Sequence, residues 1–212
     1  MNFDDFLISV SKIKNLELPG QTSQFKMSPP FRKELLKKYE AKIPSAKRAG
    51  VMALFYPNEQ FKAMLVLILR KTYNGVHSAQ IGFPGGKVEV NETLEMAAVR
   101  ETYEEIGVQA NKVEVLKALT EVYIPPSNFY VQPFIGLSRK QLTFIKQDEE
   151  VEEVVEVELS HFLDEASITS QNVETSYSVK IEVPAFKLNG HVVWGATAMM
   201  LSEIKDLLKE IL

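Results

Sequence analysis

Residues 86–108, GKVEVNETLEMAAVRETYEEIGV, constrain the fold of this chain more than any other segment. They form a helix-type pattern with a glycine at each end, and they bring Glu101, Glu104 and Glu105 close together. Residues three and four apart share a helix face, so Glu101 lies beside both other glutamates. Three such carboxylates repel one another unless a cation lies among them. Because carboxylate oxygens are hard ligands, the pattern predicts a site for Mg²⁺ or Mn²⁺.

Local signals give the bounds of this helix. Asn91 is a suitable N-cap, and Gly107 is placed to end the helix in a left-handed conformation. Glu92 and Glu95 favour the positive end of the helix dipole. The glutamate cluster then lies near the C-terminus, where the dipole is already partly negative. A solvated acidic face is the alternative interpretation, but it would not explain glycines on both flanks.

The same stretch resembles the Nudix box, G-x5-E-x7-R-E-U-x-E-E-x-G-U, in which U is a bulky aliphatic residue. Thr102 is the one departure, and since it is β-branched and close to Val in size it affects local packing more than chemistry. The resemblance implies an α+β fold, a Nudix-type α/β/α sandwich with a mixed β-sheet. It also implies hydrolysis of a nucleoside diphosphate linked to another group. The matching residues are Gly86, Glu92, Arg100, Glu101, Glu104, Glu105, Gly107 and Val108.

The resemblance further implies roles for individual residues. Glu101, Glu104 and Glu105 become metal ligands, and the backbone carbonyl of Gly85 becomes another. Arg100 orients the glutamates, although an ordinary surface arginine is the alternative. Divalent ions held here would neutralise phosphoryl oxygens and lower the pKa of a bound water.

An acidic run after the box offers one more carboxylate. Nudix enzymes often take a further metal ligand or general base from a loop here, and Glu150 or Glu153 is placed to supply it. We assign Glu150 to the catalytic set. The alternative is a solvated turn, which is the usual meaning of adjacent like charges.

The run from Leu67 to Gly86, LILRKTYNGVHSAQIGFPGG, resembles the signature of coenzyme A pyrophosphatases, a Nudix subgroup that cleaves coenzyme A into 3',5'-ADP and 4'-phosphopantetheine. Gly75 stands where that signature has an arginine, so one basic contact to phosphate is missing unless Lys71 supplies it. His77 is expected to hydrogen-bond or cap the loop rather than act as a base. The residues expected to bind substrate are Arg70, Gln80, Phe83 and, from the later proline-rich loop, Tyr123 and Ser127.

Two other functions remain open at this point. One is a Nudix pyrophosphatase that acts on ADP-ribose, NADH or a dinucleoside polyphosphate, because the subgroup signature is incomplete. The other is a binding module that senses a nucleotide without hydrolysing it. That second alternative is weakened because all three glutamates of the box are present.

Composition limits the partners and the compartment. The formal net charge of -4 argues against a broad phosphate-binding surface, so we expect a small nucleotide substrate and no nucleic acid. The absence of cysteine excludes disulfides and cysteine zinc sites and fits a reducing cytoplasm. We expect no membrane partner and no export signal, because Asp4 and Asp5 interrupt the N-terminus and the longest apolar stretch, Ala63–Leu69, is too short to cross a bilayer.

The chain divides by pattern into an N-terminal helical extension, residues 1–45, and a Nudix hydrolase domain, residues 46–212. We expect the extension to pack or to form a homodimer rather than to carry chemistry. A helix is predicted near residues 31–41 and another near residues 197–211. Strands are predicted at residues 51–56, 62–70, 113–124, 130–137, 151–157 and 178–186.

Overall fold

The computed structural model describes residues 1–71, 80–174 and 180–212. The predictions for Gly75 and His77 lie outside the described residues. The α-helices are α1 Phe3–Val10, α2 Gln21–Gln24, α3 Arg32–Tyr39, α4 Leu94–Ile106, α5 Leu159–Leu163 and α6 Gly195–Ile211. The strands are β1 Lys47–Pro57, β2 Ala63–Arg70, β3 Ile81–Gly82, β4 Gly85–Lys87, β5 Glu114–Ala118, β6 Val122–Ile124, β7 Phe129–Leu137, β8 Val151–Glu158, β9 Ile168–Glu174, β10 Lys180–Leu188 and β11 His191–Val193.

The main sheet is mixed and has β1 at its centre. Among the described strands its principal order is β3-β2-β1-β7-β5, with β4 also paired to β1, β6 to β7 and β8 to β2. The pairing of β1 with β7 is parallel, whereas the other pairings of this sheet are antiparallel. A separate antiparallel sheet has the order β11-β10-β9.

Alternation along β1 divides the hydrophobic core into two layers. Successive side chains of a strand point to opposite faces of the sheet. Met52 and Leu54 share one buried cluster with Ala98 of α4. Ala53 and Phe55 join the larger cluster on the other face, which contains α6 and the N-terminal helices. The predicted α+β sandwich with a mixed sheet between helical layers is therefore confirmed.

The N-terminal helices contribute to that larger cluster. Phe3, Phe6 and Ile13 are buried in it, and the ring centroids of Phe6 and Phe55 lie 5.3 Å apart. This packing is the role expected for the extension. The division at residue 45 and the homodimer stay predictions. Among the described residues, none of the helices is both long and apolar enough to cross a bilayer.

Capping residues determine where the glutamate helix α4 begins and ends. Thr93 is the N-cap, and its hydroxyl accepts a hydrogen bond from the Met96 N–H at 3.1 Å. The prediction of Asn91 as N-cap is wrong, because Asn91 adopts a positive φ of 65° in the turn before the cap. Gly107 ends the helix as predicted, in the left-handed conformation with φ of 75°.

Candidate active site

Glu101, Glu104 and Glu105 of α4 line a cleft with a volume of about 570 Å³. We call it the carboxylate cleft. It is formed by α4, by β4 and by the turn that precedes β8, so the structure brings Glu150 to the same cavity as the glutamates of the box. The lining residues are Arg70, Gly85, Gly86, Lys87, Glu89, Arg100, Glu101, Glu104, Glu105, Gln147 and Glu150.

Arg100 connects the carboxylates of this cleft. Its Nε donates to Glu92 Oε1 at 2.8 Å, and its Nη1 donates to Glu101 Oε1 at 2.9 Å and to Glu104 Oε2 at 2.8 Å. The hydrogen bond from Arg100 is the main cause of a lowered pKa for Glu92. One planar guanidinium thus contacts three carboxylates, and the orienting role of Arg100 stays a prediction.

Glu105 is the most buried carboxylate of the cleft, at 2% exposure. Its Oε2 accepts a hydrogen bond from the Gly85 N–H at 2.8 Å. Arg70 Nη1 lies 3.2 Å from Glu105 Oε1. Among the described residues, this buried Oε1 accepts no hydrogen bond, so its contact with Arg70 is an ion pair of poor directionality. Burial raises the pKa of Glu105 to about 7, although the charge of Arg70 opposes the shift.

Arg70 lies against the predicted metal ligands. Besides its ion pair with Glu105, its Nη2 donates to the carbonyl oxygen of Gly85 at 2.9 Å. Both groups were assigned to the metal from the sequence. Arg70 therefore stands at the boundary between the carboxylate cleft and the neighbouring pocket, since it lines both.

Glu101 packs directly onto β4. A Cβ atom added to Gly86 would lie 2.2 Å from Glu101 Oε1, so only glycine lets the carboxylate approach this strand. Burial raises the pKa of Glu101, against the lowering effect of its hydrogen bond from Arg100. The first glycine of the box, Gly86, is thus explained by its contact with Glu101.

The carboxylate and carbonyl oxygens of the cleft are chemically suited to bind a divalent cation. Within the described ranges, no three carboxylates converge on one point as a preformed metal site, because Arg100 and Arg70 hold them. Glu105 Oε1, however, is a buried carboxylate oxygen without a hydrogen bond, and such an atom is stabilised by a cation. The residues that could hold one are Glu101, Glu104, Glu105, Glu150 and the Gly85 carbonyl.

A second cavity of about 340 Å³ adjoins the carboxylate cleft. We call it the apolar pocket. It shares Arg70, Gly85, Gly86 and Lys87 with the cleft, so a ligand can extend across both. Its other lining residues come from the N-terminal region, β1, the strands around it and the start of α6, among them Pro29, Phe31, Arg32, Leu35, Val51, Gln80, Ile81, Phe83, Ile124, Pro125, Phe129, Trp194, Thr197 and Met200.

The predicted substrate contacts divide into two groups. Gln80 and Phe83 line the apolar pocket. Tyr123 and Ser127 line neither cavity. Tyr123 is buried and its hydroxyl donates to Asn128 Oδ1 at 2.8 Å, and the hydroxyl of Ser127 is also buried, so the structure does not bring these two side chains to a ligand.

Sequence reasoning missed the N-terminal wall of the apolar pocket. Phe31, Arg32 and Leu35 line it, although residues 1–45 were expected to carry no chemistry. Trp194 also lines it. The residues come from segments far apart in the chain. No local periodicity or motif could have identified them.

Comparison with known proteins agrees with this geometry. The NUDIX domain family profile matches residues 46–175. Nudix hydrolase 3 of Caenorhabditis elegans is 27% identical over 205 residues, which are 83% of this chain and 84% of that protein. The peroxisomal coenzyme A diphosphatase ndx-8 of the same species is 26% identical over 155 residues, covering 72% of this chain and 64% of that protein.

A solved structure supports the fold. The Nudix hydrolase RenU of M. smegmatis is 18% identical and has a TM-score of 0.55, with 79% of this chain and 88% of that chain covered. The family profile spans more than half of the chain, including all of α4 and the carboxylate cleft that it lines. With its glutamate helix, glycine-bounded cleft and mixed sheet, this chain belongs to the Nudix hydrolase family.

Proposed function

We propose that this Nudix hydrolase cleaves the diphosphate bond of coenzyme A or a coenzyme A derivative and releases 3',5'-ADP and 4'-phosphopantetheine. The observation that carries the proposal is the junction of the two cavities at Arg70, Gly85, Gly86 and Lys87. A substrate with a central diphosphate and a bulky arm fits this arrangement, because the diphosphate can lie at the cleft and the arm in the pocket. The similarity to a coenzyme A diphosphatase supports the choice of substrate.

Nudix hydrolases require divalent metal ions, and we propose Mg²⁺ or Mn²⁺ here. Bound by Glu101, Glu104 and Glu105, such an ion would neutralise phosphoryl oxygens and lower the pKa of a water molecule. Arg100 keeps two of these carboxylates in place through its hydrogen bonds. Lys87 lines both cavities and supplies a positive charge near the diphosphate.

The proposed reaction is a hydrolysis. The oxygen of water forms a bond to one phosphorus, and the bridging P–O bond breaks with its electron pair on the leaving phosphate. The proton of water passes to a carboxylate of the cleft, for which Glu150 is the proposed acceptor. The absence of cysteine supports a reducing compartment such as the cytoplasm for this enzyme.

Product analysis by mass tests the proposal. The purified protein is incubated with Mg²⁺ or Mn²⁺ and, in parallel, with coenzyme A, ADP-ribose, NADH and diadenosine polyphosphates. We expect selective release of 3',5'-ADP from coenzyme A. Preferred cleavage of another compound would reject coenzyme A as the substrate but keep the diphosphate chemistry, and turnover of none would favour the binding-module alternative.

A further inference from the structure

The apolar pocket contains a buried arginine that the Nudix box does not include. Arg32 is the first residue of α3, lines the pocket and is only 9% exposed. Its Nη2 donates to the backbone oxygen of Tyr123 at 2.5 Å. Within the described residues, its Nε is buried and has no hydrogen-bond partner. The guanidinium therefore keeps unused donor capacity, and Arg32 lines the apolar pocket.

The charge of Arg32 also has no counterion among the described residues. No carboxylate of that part of the chain lies within ion-pair distance of it, whereas Arg70 and Arg100 in the adjoining cleft are both paired. Burial lowers the pKa of Arg32 to about 10, so the group stays protonated at neutral pH. A buried and unpaired cation is costly, and the cost falls when an anion binds beside it.

The surroundings indicate which anion fits. A guanidinium presents its donors in a planar fork that matches phosphate oxygens. The walls of the same pocket include Phe31, Leu35 and Phe129, whose apolar surfaces suit a planar base or sugar edge rather than a second charge. A ligand for this pocket therefore carries both an apolar body and an oxyanion.

We propose that Arg32 binds a phosphate monoester on the nucleoside arm of the substrate, and so selects for nucleotides phosphorylated away from the scissile diphosphate. This inference rests on the proposed function, in which that group is the 3'-phosphate of coenzyme A. Arg32 would also supply a basic contact to substrate from the N-terminal region, in a chain that has Gly75 where the coenzyme A pyrophosphatase signature has an arginine.

Kinetics with a matched pair of substrates tests the selection. Coenzyme A and dephospho-coenzyme A differ only in the 3'-phosphate. We expect wild-type kcat/KM to favour coenzyme A by roughly 10- to 100-fold, the effect of a charge-assisted hydrogen bond. Arg32→Met should lose most of that preference, because its kcat/KM for coenzyme A should fall much more than its kcat/KM for dephospho-coenzyme A, and Arg32→Lys should retain part of the preference.

A control separates selection from loss of structure. Arg48→Met removes an arginine that pairs with Glu121 and lines neither cavity, so it should keep the wild-type preference. Thermal melting of all variants checks folding, because Arg32 also holds the Tyr123 carbonyl. An equal preference in wild type and Arg32→Met, or no preference in the wild type, overturns the proposal.

A binding measurement keeps this inference distinct from the proposed function. Titration calorimetry in EDTA compares 3',5'-ADP with 5'-AMP, and neither compound needs to react. We expect about tenfold tighter binding of 3',5'-ADP to the wild type and no difference for Arg32→Met. If coenzyme A is not hydrolysed but this difference is found, only the substrate assignment fails. If coenzyme A is hydrolysed and Arg32→Met keeps the difference, only the Arg32 site fails.

Discussion

At the scale of single residues, Arg100 explains how a helix end tolerates a cluster of glutamates. The C-terminal half of α4 combines carboxylates with the negative end of the helix dipole. Arg100 offsets the repulsion by bonding to Glu92, Glu101 and Glu104. A cation in the cleft would add to the same compensation. The arginine of the box therefore contributes to the folded state before any substrate binds.

Replacement of Glu104 by Gln should abolish most hydrolysis and leave the fold intact. Glu104 is the most exposed of the three glutamates, at 52% of its side chain, so little packing is lost. One oxygen of the proposed metal site is weakened, and we expect kcat to fall by roughly 10²-fold or more. Steady-state kinetics with saturating Mg²⁺ or Mn²⁺ measures the effect.

Glu95→Gln is the matched control for that change. Glu95 is exposed in the first turn of α4 and does not line the carboxylate cleft, so its variant should retain wild-type kinetics. Near-normal turnover by Glu104→Gln would remove Glu104 from the proposed metal ligands. Loss of activity in both variants would indicate a general effect of helix charge instead.

At this scale the sequence predicted local contacts and missed distant ones. Glu101, Glu104 and Arg100 are neighbours on one helix, and helical spacing alone brings them together. The contact of Arg70 with Glu105 depends on how β2 lies against α4, and the place of Arg32 depends on how the N-terminal region packs. No sequence period encodes such contacts, because they follow from tertiary packing.

At the scale of elements, the close approach of α4 to β1 fixes the carboxylates relative to the sheet. A Cβ atom on Gly50 would lie 1.9 Å from the backbone oxygen of Leu94, so α4 can touch β1 only at a glycine. Gly50 also pairs with Gly86 across β1 and β4. Gly50 and Gly86 thus determine where the start of α4 contacts the sheet.

Gly50→Ala should therefore move α4 and destabilise the protein. We expect a loss of about 3 kcal/mol in the free energy of unfolding, since the clash is with backbone atoms. Urea denaturation measures it. Gly82→Ala is a stability control, because the nearest atoms to its added Cβ lie 3.9 Å away. Equal stability of the two variants would contradict the proposed role of the contact.

The N-terminal region is attached to α6 through polar contacts. Asp206 accepts hydrogen bonds from Ser23 and from Lys26 Nζ, the latter at 2.6 Å. Burial raises the pKa of Asp206, but the bonds from Lys26 and Ser23 outweigh burial, so its pKa lies below the ordinary value of 3.8. A lowered carboxylate pKa stabilises the folded state above the ordinary value, and this contribution disappears as pH falls through the lowered pKa.

We expect Asp206→Asn to cost roughly 1 kcal/mol at pH 7, because the attachment is partly exposed. The difference from wild type should shrink as the pH falls below the ordinary value of 3.8, because the wild-type carboxylate takes up its proton when the pH passes through its lowered pKa. Urea midpoints at pH 7 and at a pH below 3.8 measure this. Glu210→Gln, on the exposed side of α6, should show no such difference. A cost that is equal at both pH values would reject the role of the charge.

The bounds of most elements were predictable because their patterns are local. Predicted strands at residues 51–56 and 130–137 correspond to β1 and β7, and the last helix begins two residues before its predicted start. The predicted strand at residues 113–124 is divided into β5 and β6. In the break between them, Thr120 Oγ1 donates to the buried Glu203 of α6 at 2.6 Å, a distant contact that no local pattern predicts.

At the scale of the whole molecule, the N-terminal helices and the sheet share one core. Phe6 of α1 is fully buried against Phe55 of β1. Phe6→Ala should lower the free energy of unfolding by about 3–5 kcal/mol while unfolding remains a single transition. Denaturation followed by fluorescence and by circular dichroism measures both.

Ile8→Ala is the control on the same helix, since Ile8 is 69% exposed and should change stability little. If the two spectroscopic transitions of the Phe6 variant separate, residues 1–45 unfold as an independent unit. If Phe6→Ala lowers the free energy of unfolding as little as Ile8→Ala does, α1 contributes little to the core.

The parallel pairing of β1 with β7 also has a consequence for how the chain reaches its native state. Parallel neighbours need a crossover connection, and here that connection contains β2, α4 and β5. Closing so long a loop costs entropy before its contacts are gained, which slows the folding transition. During synthesis, β1 cannot pair with β7 until the chain through Leu137 has left the ribosome. The glutamate helix is therefore translated before the sheet that supports it is complete.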